Sequence, residues 1–477
     1  MTFTNSNTFH VSKEDMRKMG YEVVDVIVEH LHNLENKPVL QSKKNDFFQV
    51  HLNENIPTQG EGWNQSFQTL HDTVLMNTTY SNHPRFFAFV PSPSNYISAL
   101  ADFLASSFNI FTGSWLMSPG AAQIELVTLN WLKHIFSFPS EAGGVFVSGG
   151  SMANLTALAV AKQSILQNKL ENAIVYCSDQ THASIDKALK VLGFQPEQLC
   201  KIPCNEDFKL SAMELKKKIE QDKLIGKIPF CIVANIGTTN TGAVDPLEDI
   251  MEIAADHRIW VHGDGAFGAP AILSPEGKIA CKGIDKLDSL SLDPHKWLFQ
   301  SYDIGCVLIR NHKLMQNCFS ILPEYLKDSE TKQQEINFSD YSIELTRRFR
   351  ALKLWLTFKV FGLQAFKEAI QKALYITQEA THLIENNQYL EVVSTGLGVV
   401  TFRFIPENMY SQSDTNLLNE YIAKELNQDG FAMVSTTILK EKKVIRLCPL
   451  HPSLKIEDIQ LTLEKLIDYG KKYNKKI

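Results

Sequence analysis

Four apolar runs in this chain stop abruptly at small, polar or charged residues, and helical segments lie between them. The runs are Val145-Phe146-Val147-Ser148, Tyr176-Cys177-Ser178, Ile232-Val233-Ala234-Asn235 and Ile259-Trp260-Val261-His262-Gly263-Asp264. The stretches Ala121–Phe136, ahead of the first run, and Ser151–Gln167 and Ser211–Gln221, between later ones, have helical spacing. Strands that alternate with helices argue for an α/β fold, a mainly parallel sheet with helices on both faces. Ligands of such sheets bind beyond the carboxyl ends of the strands. The residues that end the runs are therefore the first place to look for chemistry.

One further strand-like run ends in Ser291-Leu292-Asp293-Pro294-His295-Lys296-Trp297-Leu298. Lys296 beside a histidine, with Asp264 closing an earlier strand, suits a lysine that carries pyridoxal phosphate (PLP) as a Schiff base. A carboxylate near the pyridine nitrogen favours its protonated form. Gly265 and Ala266 after the acid leave room for a flat ring. Ser148-Gly149-Gly150-Ser151 reads as a turn into a helix, which aims backbone N–H groups at an anion; an ordinary turn has the same look. His182, where a strand meets a helix, has a ring that could stack on a cofactor or simply cap the helix.

Taken together with His83-Pro84-Arg85-Phe86-Phe87-Ala88-Phe89 and Arg347-Arg348-Phe349-Arg350-Ala351-Leu352-Lys353, these motifs resemble the group II PLP-dependent amino-acid decarboxylases. That family includes the aromatic-L-amino-acid, histidine and glutamate decarboxylases, and the likeness is greatest to the aromatic branch. It runs from about Gly20 to the C-terminal part. The resemblance implies a fold type I PLP enzyme with a mainly parallel, seven-stranded-type sheet, an N-terminal helical segment and a small C-terminal α+β domain. It also implies decarboxylation of an L-amino acid, aromatic or large and apolar, to an amine and carbon dioxide. Lys296 matches the Schiff-base lysine, Asp264 the pyridine-nitrogen partner and His182 the stacking histidine concerned with proton delivery. Gly150, Ser151 and His295 match phosphate-side residues. Ala266 matches the small residue under the ring and Thr239 a threonine near the cofactor. Phe89 and Ser92 match positions that touch substrate, and Phe111 one that reaches in from a partner subunit. The N-terminal segment packs across a second subunit in the family, so a homodimer with shared active sites is implied.

Three positions depart from the pattern. Asp293 stands where animal members usually have asparagine, and an acid beside a phosphate is repulsive unless paired or turned away. In the loop Glu335–Leu345, the residue aligned with the family's proton-donating tyrosine is Phe338, whose ring has no proton to give. In some relatives that change lets oxygen intercept the carbanion and yields an aldehyde, ammonia and peroxide. Otherwise Tyr341, His182 or water supplies the proton and the product is the amine. Gly113 replaces a bulky ring and is expected to enlarge or reshape the side-chain pocket. A transaminase or β-elimination enzyme would use the same lysine, but the His182 and Arg347–Lys353 segments speak against it. A dead relative acting as a binding protein is opposed by the intact Lys296, Asp264 and His182.

The net charge of −6 and the dispersed basic residues argue against a nucleic-acid or anionic-membrane partner. The basic tail Gly470–Ile477 reads as a frayed helix end. No apolar run is long enough to span a bilayer, and the start, Met1–Thr8, lacks the features of a secretory signal. Eight scattered cysteines suggest reduced thiols and a cytoplasmic location. No spacing suggests a metal site. With 477 residues the chain fits two or three domains. The expected division is a helical dimerisation segment over 1–82, a cofactor domain over 83–362 and an α+β domain over 363–477. A helix is expected from Ser12 to Leu34, a polar loop from Gln41 to Gly62, a helix at Ala365–Asn386 and a last helix at Lys455–Tyr473.

Overall fold

The computed structural model describes residues 9–40, 43–167, 169–321, 335–406 and 411–474. Met1–Thr8 and Lys475–Ile477, which include part of the expected basic tail, lie outside them.

The alternating apolar runs build a seven-stranded sheet: β1 (Gly143–Val147), β2 (Ala173–Ser178), β3 (Leu199–Ile202), β4 (Ile228–Asn235), β5 (Trp260–Asp264), β6 (Ser289–Leu292) and β7 (Gly305–Ile309). Their spatial order is β1-β7-β6-β5-β4-β2-β3. The pairs from β3 through to β6 are parallel. β7 runs antiparallel between β6 and β1. Strands buried on both faces need continuous apolar runs, and every residue of β2, β5, β6 and β7 is buried. The parallel strands present their carboxyl ends, Ser178, Asn235, Asp264 and Leu292, on one edge.

A second, antiparallel sheet has the order β10-β11-β9-β8, with β8 (Leu390–Gly396), β9 (Val399–Phe404), β10 (Ser435–Leu439) and β11 (Lys442–Leu447). Its core is closed by the helices Gln412–Asp429 and Ile456–Asn474. The long helix Ala351–Glu385 serves both cores and is interrupted at Gly362, whose φ of 73° is not helical.

The N-terminal helix covers Lys13–His32, with Ser12 Oγ accepting the Asp15 amide at 3.1 Å as its cap. None of its residues is fully buried; Met19, Val23, Ile27 and Leu31 are half-buried, so its apolar stripe is only partly covered within this chain. The stretch expected to be a loop from Gln41 to Gly62 instead holds a helix at Asn45–Leu52. A side-chain pair four residues apart supports it, with the Phe47 and His51 rings 4.3 Å between centroids. The helix expected over Ser151–Gln167 starts at Gly150 and ends at Ala161, followed by a wider turn at Lys162–Leu166.

Candidate active site

Beyond the carboxyl edge of the large sheet lies a cavity of about 390 Å³. Gly150, Ser151, His182, Thr239, Asp264, Ala266, His295 and Lys296 all line it. These eight residues come from five separate stretches of sequence, so their convergence is a property of the fold. Strand β1 delivers the Gly149–Gly150 turn to the start of the helix Gly150–Ala161, whose first-turn N–H groups form an anion-seeking end. β5 ends at Asp264, and the tight turn after β6 carries His295 and Lys296.

The charges are arranged around Lys296. Its Nζ lies 2.8 Å from Asp293 Oδ2. Burial alone would lower the amine's pKa, but the Asp293 contact and nearby Asp264 more than offset it and hold the pKa above its ordinary value. Asp293, expected to be paired or turned away, is paired: it is 2 % exposed and makes this ion pair. Its Oδ1 is buried without a hydrogen-bond partner. His295 Nδ1 accepts the Ile304 amide at 3.3 Å, which leaves the ring proton on Nε2, 3.6 Å from Asp293 Oδ2. Burial, with the Lys296 charge adding to it, lowers the His295 pKa.

Asp264 is 8 % exposed and acts only as an acceptor in its side-chain hydrogen bonds. Oδ1 takes the Ala266 amide at 3.2 Å and Ser291 Oγ at 3.3 Å, and Oδ2 takes Asn154 Nδ2 at 3.0 Å. On the other side, His182 Nδ1 accepts the Ser184 amide at 3.2 Å. Nε2 is therefore the ring's donor nitrogen.

The pyridoxal-dependent decarboxylase conserved domain matches residues 46–405. The chain belongs to that family. It is 49% identical over 463 residues to an aromatic-L-amino-acid decarboxylase of Bacillus atrophaeus, covering 97% of this chain and 96% of that one. It is also 29% identical to a phenylacetaldehyde synthase of Petunia hybrida, over 91% of this chain and 90% of that one. A crystal structure of Oryza sativa TDC with PLP and tryptamine superposes with a TM-score of 0.92 at 27% identity, covering 98% of this chain and all of that one. The protein is thus a PLP-dependent amino-acid decarboxylase, and PLP is its cofactor.

The residues present fit that group. A Cβ added at Gly150 would lie 2.9 Å from both Ala266 Cβ and Asp293 Oδ2, so glycine keeps this end of the cavity open. A lysine amine, an accepting carboxylate and a helix N-terminus then face one small space.

Four sequence-derived residues are not among those lining the cavity. Phe89 is 61% exposed at a φ of 51°. Ser92 is 2% exposed, and its Oγ donates to the His295 carbonyl. Phe111 pairs with Arg348 through a backbone bridge. Phe338 is 1% exposed in the core, with the Arg347 guanidinium 5.1 Å from its ring centroid. Gly113 opens no extra space within this chain. A Cβ there would lie 2.3 Å from Phe111 Cζ and 2.6 Å from the Leu345 carbonyl oxygen, so the aromatic ring two residues earlier already fills the room.

Several residues of the site were not singled out from sequence. Asn154 and Ser184 line the cavity, and Asn235 joins Ser178 and Thr181 at the ends of two strands. His262 lies two residues before Asp264 on a strand, and that period-two spacing was a usable signal that both point the same way. A larger groove of about 830 Å³ runs along the N-terminal helix beside Tyr96 and Ala99. It is distant in sequence from Lys296 and Asp264 and has an apolar lining that suits packing better than catalysis. Among the described residues no metal-ligand cluster occurs, and no helix is long and apolar enough to cross a membrane.

Proposed function

We propose that the protein decarboxylates an aromatic L-amino acid to the corresponding amine. The observation that carries this is the 49% identity to an aromatic-L-amino-acid decarboxylase over nearly the whole of both chains, joined to an intact Lys296, Asp264 and His182 set around one cavity. Bound there, PLP supplies an electron sink for charge left at the substrate α-carbon. Asp264, supplied with three hydrogen-bond donors, serves as the anionic partner of the ring nitrogen. The helix start at Gly150 and Ser151, with His295, holds the phosphate, while Ala266 and Thr239 bound the ring. Lys296 must lose a proton to act as a nucleophile, and Asp293 Oδ2 is the base in contact with it. His182 offers the Nε2 proton that quenches the α-carbon after carbon dioxide leaves.

Aldehyde formation is the second reading, and Phe338 is the observation that favours it. Tyr341 does not replace the missing hydroxyl easily, because it is 3% exposed and burial, with Asp340 adding to it, pushes its pKa up to about 12. His182 lines the cavity and needs neither residue, which supports the amine. The test is incubation of the PLP-loaded protein with L-amino acids under air, measuring carbon dioxide, amine, aldehyde and peroxide together. Amine equal to carbon dioxide supports the proposal. Aldehyde with stoichiometric peroxide replaces it by the second reading, and transamination without carbon dioxide refutes both.

The same reading makes the enzyme a homodimer, with Phe89, Ser92 and Phe111 at the substrate side and Phe111 reaching the partner's site. The partly covered N-terminal helix and exposed Phe103, Phe108, Leu116 and Met117 support this. Sedimentation at the monomer mass of 53.9 kDa under assay conditions would count against it. The division at 82 and 362 is kept, with the break at Gly362 supporting the second boundary; limited proteolysis that never cuts near either would oppose it. The eight free cysteines support a cytoplasmic location, which recovery of activity from a membrane or secreted fraction would refute.

A further inference from the structure

Behind Asp264 the hydrogen bonds continue away from the cavity. Asn154 Nδ2 donates to Asp264 Oδ2 at 3.0 Å and to Ser184 Oγ at 3.0 Å. Asn154 Oδ1 meets His262 Nε2 at 2.9 Å. His262 Nδ1 meets Ser289 Oγ at 2.9 Å, and Ser289 Oγ takes Trp260 Nε1–H at 2.8 Å. Asn154 is 1% exposed, while His262 and Ser289 are fully buried.

The direction of every link can be settled from the ends. An indole N–H can only donate, and a carboxylate can only accept. Ser289 therefore accepts from Trp260 and gives its own proton to His262 Nδ1. His262 keeps its proton on Nε2 and gives it to Asn154 Oδ1. The Asn154 amide then turns both donors toward Asp264 and Ser184. Ser184 Oγ lies 2.9 Å from His182 Nδ1, so the same amide also touches the group that orients the proton-bearing histidine. Burial lowers the His262 pKa to about 4 despite the nearby Asp264 charge, consistent with a neutral ring that only relays.

We propose that Asn154 and His262 are positioning residues: a neutral, one-way relay from Trp260 through Ser289, His262 and Asn154 keeps the Asp264 carboxylate a pure acceptor, so that it holds the cofactor's ring nitrogen protonated. The inference rests on the proposed role of Asp264. It assigns no contact with substrate to Asn154 or His262. A chain of oriented donors strengthens each bond in a dry interior, and an orphaned member is costly there. Loss of such supporting partners elsewhere costs about tenfold or more in function.

The experiment compares Asn154→Ala, His262→Leu, His262→Gln, Ser289→Ala and Asp264→Ala in the holoenzyme. The readouts are kcat, KM and the ring-nitrogen NMR shift of 15N-labelled PLP. For Asn154→Ala and His262→Leu, kcat should fall about tenfold or more. KM should stay within about threefold, and the nitrogen signal should move toward that of unprotonated pyridine. His262→Gln, which keeps a donor at one end and an acceptor at the other, should restore most of both. Ser289→Ala removes the donor to His262 Nδ1 but leaves His262 and Asn154 in place, and should move the signal the same way by less, which keeps the test open if a larger change fails to fold. A protonated nitrogen in Asn154→Ala, His262→Leu and Ser289→Ala, or His262→Gln no better than His262→Leu, overturns the relay. If Asp264→Ala also leaves the nitrogen protonated, the role of Asp264 is wrong. If only Asp264→Ala changes it, the relay alone is wrong.

Discussion

Gly305 shows how closely the proposed phosphate end of the site is built. It opens β7 and pairs with Val147, the last residue of β1, just before the Gly149–Gly150 turn. A Cβ at position 305 would lie 2.5 Å from Gly149 Cα, 2.6 Å from its carbonyl carbon and 2.8 Å from its nitrogen. Carbon atoms pack at about 3.5–4.0 Å, so Gly305→Ala demands a shift of about 1 Å. β7 is hydrogen-bonded on both edges, by β1 and β6. The turn at Gly149 is the part that yields. Overpacking of this kind costs about 1–3 kcal/mol. If about 1–2 kcal/mol of that falls on the contacts to the phosphate, the Kd for PLP rises roughly 5–30-fold. Displacement by about 1 Å can also cost as much as about 100-fold in kcat. The assay is fluorescence titration of the cofactor-free protein with PLP. Gly60→Ala, where nothing lies within 4 Å of the added carbon, is the control. A Gly305→Ala protein with parental circular dichroism and a Kd within about twofold of the parent would refute the coupling of β7 to the phosphate turn.

Two other outcomes follow from buried charge. Arg347 and Glu125 are both fully buried; the guanidinium donates to Glu125 Oε1 at 2.7 Å and to the carbonyl oxygens of Phe146 and Thr112. Arg347→Leu should destabilise by about 3–5 kcal/mol, and Glu125→Leu/Arg347→Leu should recover much of it; urea unfolding of the single and double variants checks this, and a double variant no better than Arg347→Leu is the contrary result. Burial lowers His83, His262 and His451 to about 4, whereas it raises Asp245 to about 6. Between about pH 6.5 and 4 the unfolded chain takes up protons that the three folded histidines refuse, and between about 6 and 4 folded Asp245 takes one that the unfolded chain does not. Three oppose one, so stability should fall on acidification through this window; a thermal midpoint at pH 5 equal to or above that at pH 7, with saturating PLP, would contradict the balance.

The residues that line the candidate site were largely legible in sequence because they sit where strands end. Asp264 closes β5, Lys296 follows β6, and Gly150 opens a helix after β1, so local pattern and residue type were enough to bring them forward. The capped start at Ser12 and the apolar stripe that follows it are local in the same sense. Other features depend on contacts between distant segments. Asn154 meets Asp264 across 110 positions of sequence, and no motif spacing encodes that bond. The pairing of Asp293 with Lys296 depends on the turn after β6, which brings an acid and an amine three residues apart into contact instead of toward solvent. The short helix at Asn45–Leu52 was hidden because it is only eight residues long and none of them is buried.

What the sequence determined by itself was the alternating α/β plan, the lysine, the acid and the histidine, since strand ends and apolar periodicity are local properties of the chain. The tertiary structure alone decided the insertion of antiparallel β7 between β1 and β6, the seating of Phe338 beneath Arg347 and the line of donors behind Asp264. Each of these depends on which remote surfaces exclude water together, and exclusion of water is a property of the packed whole.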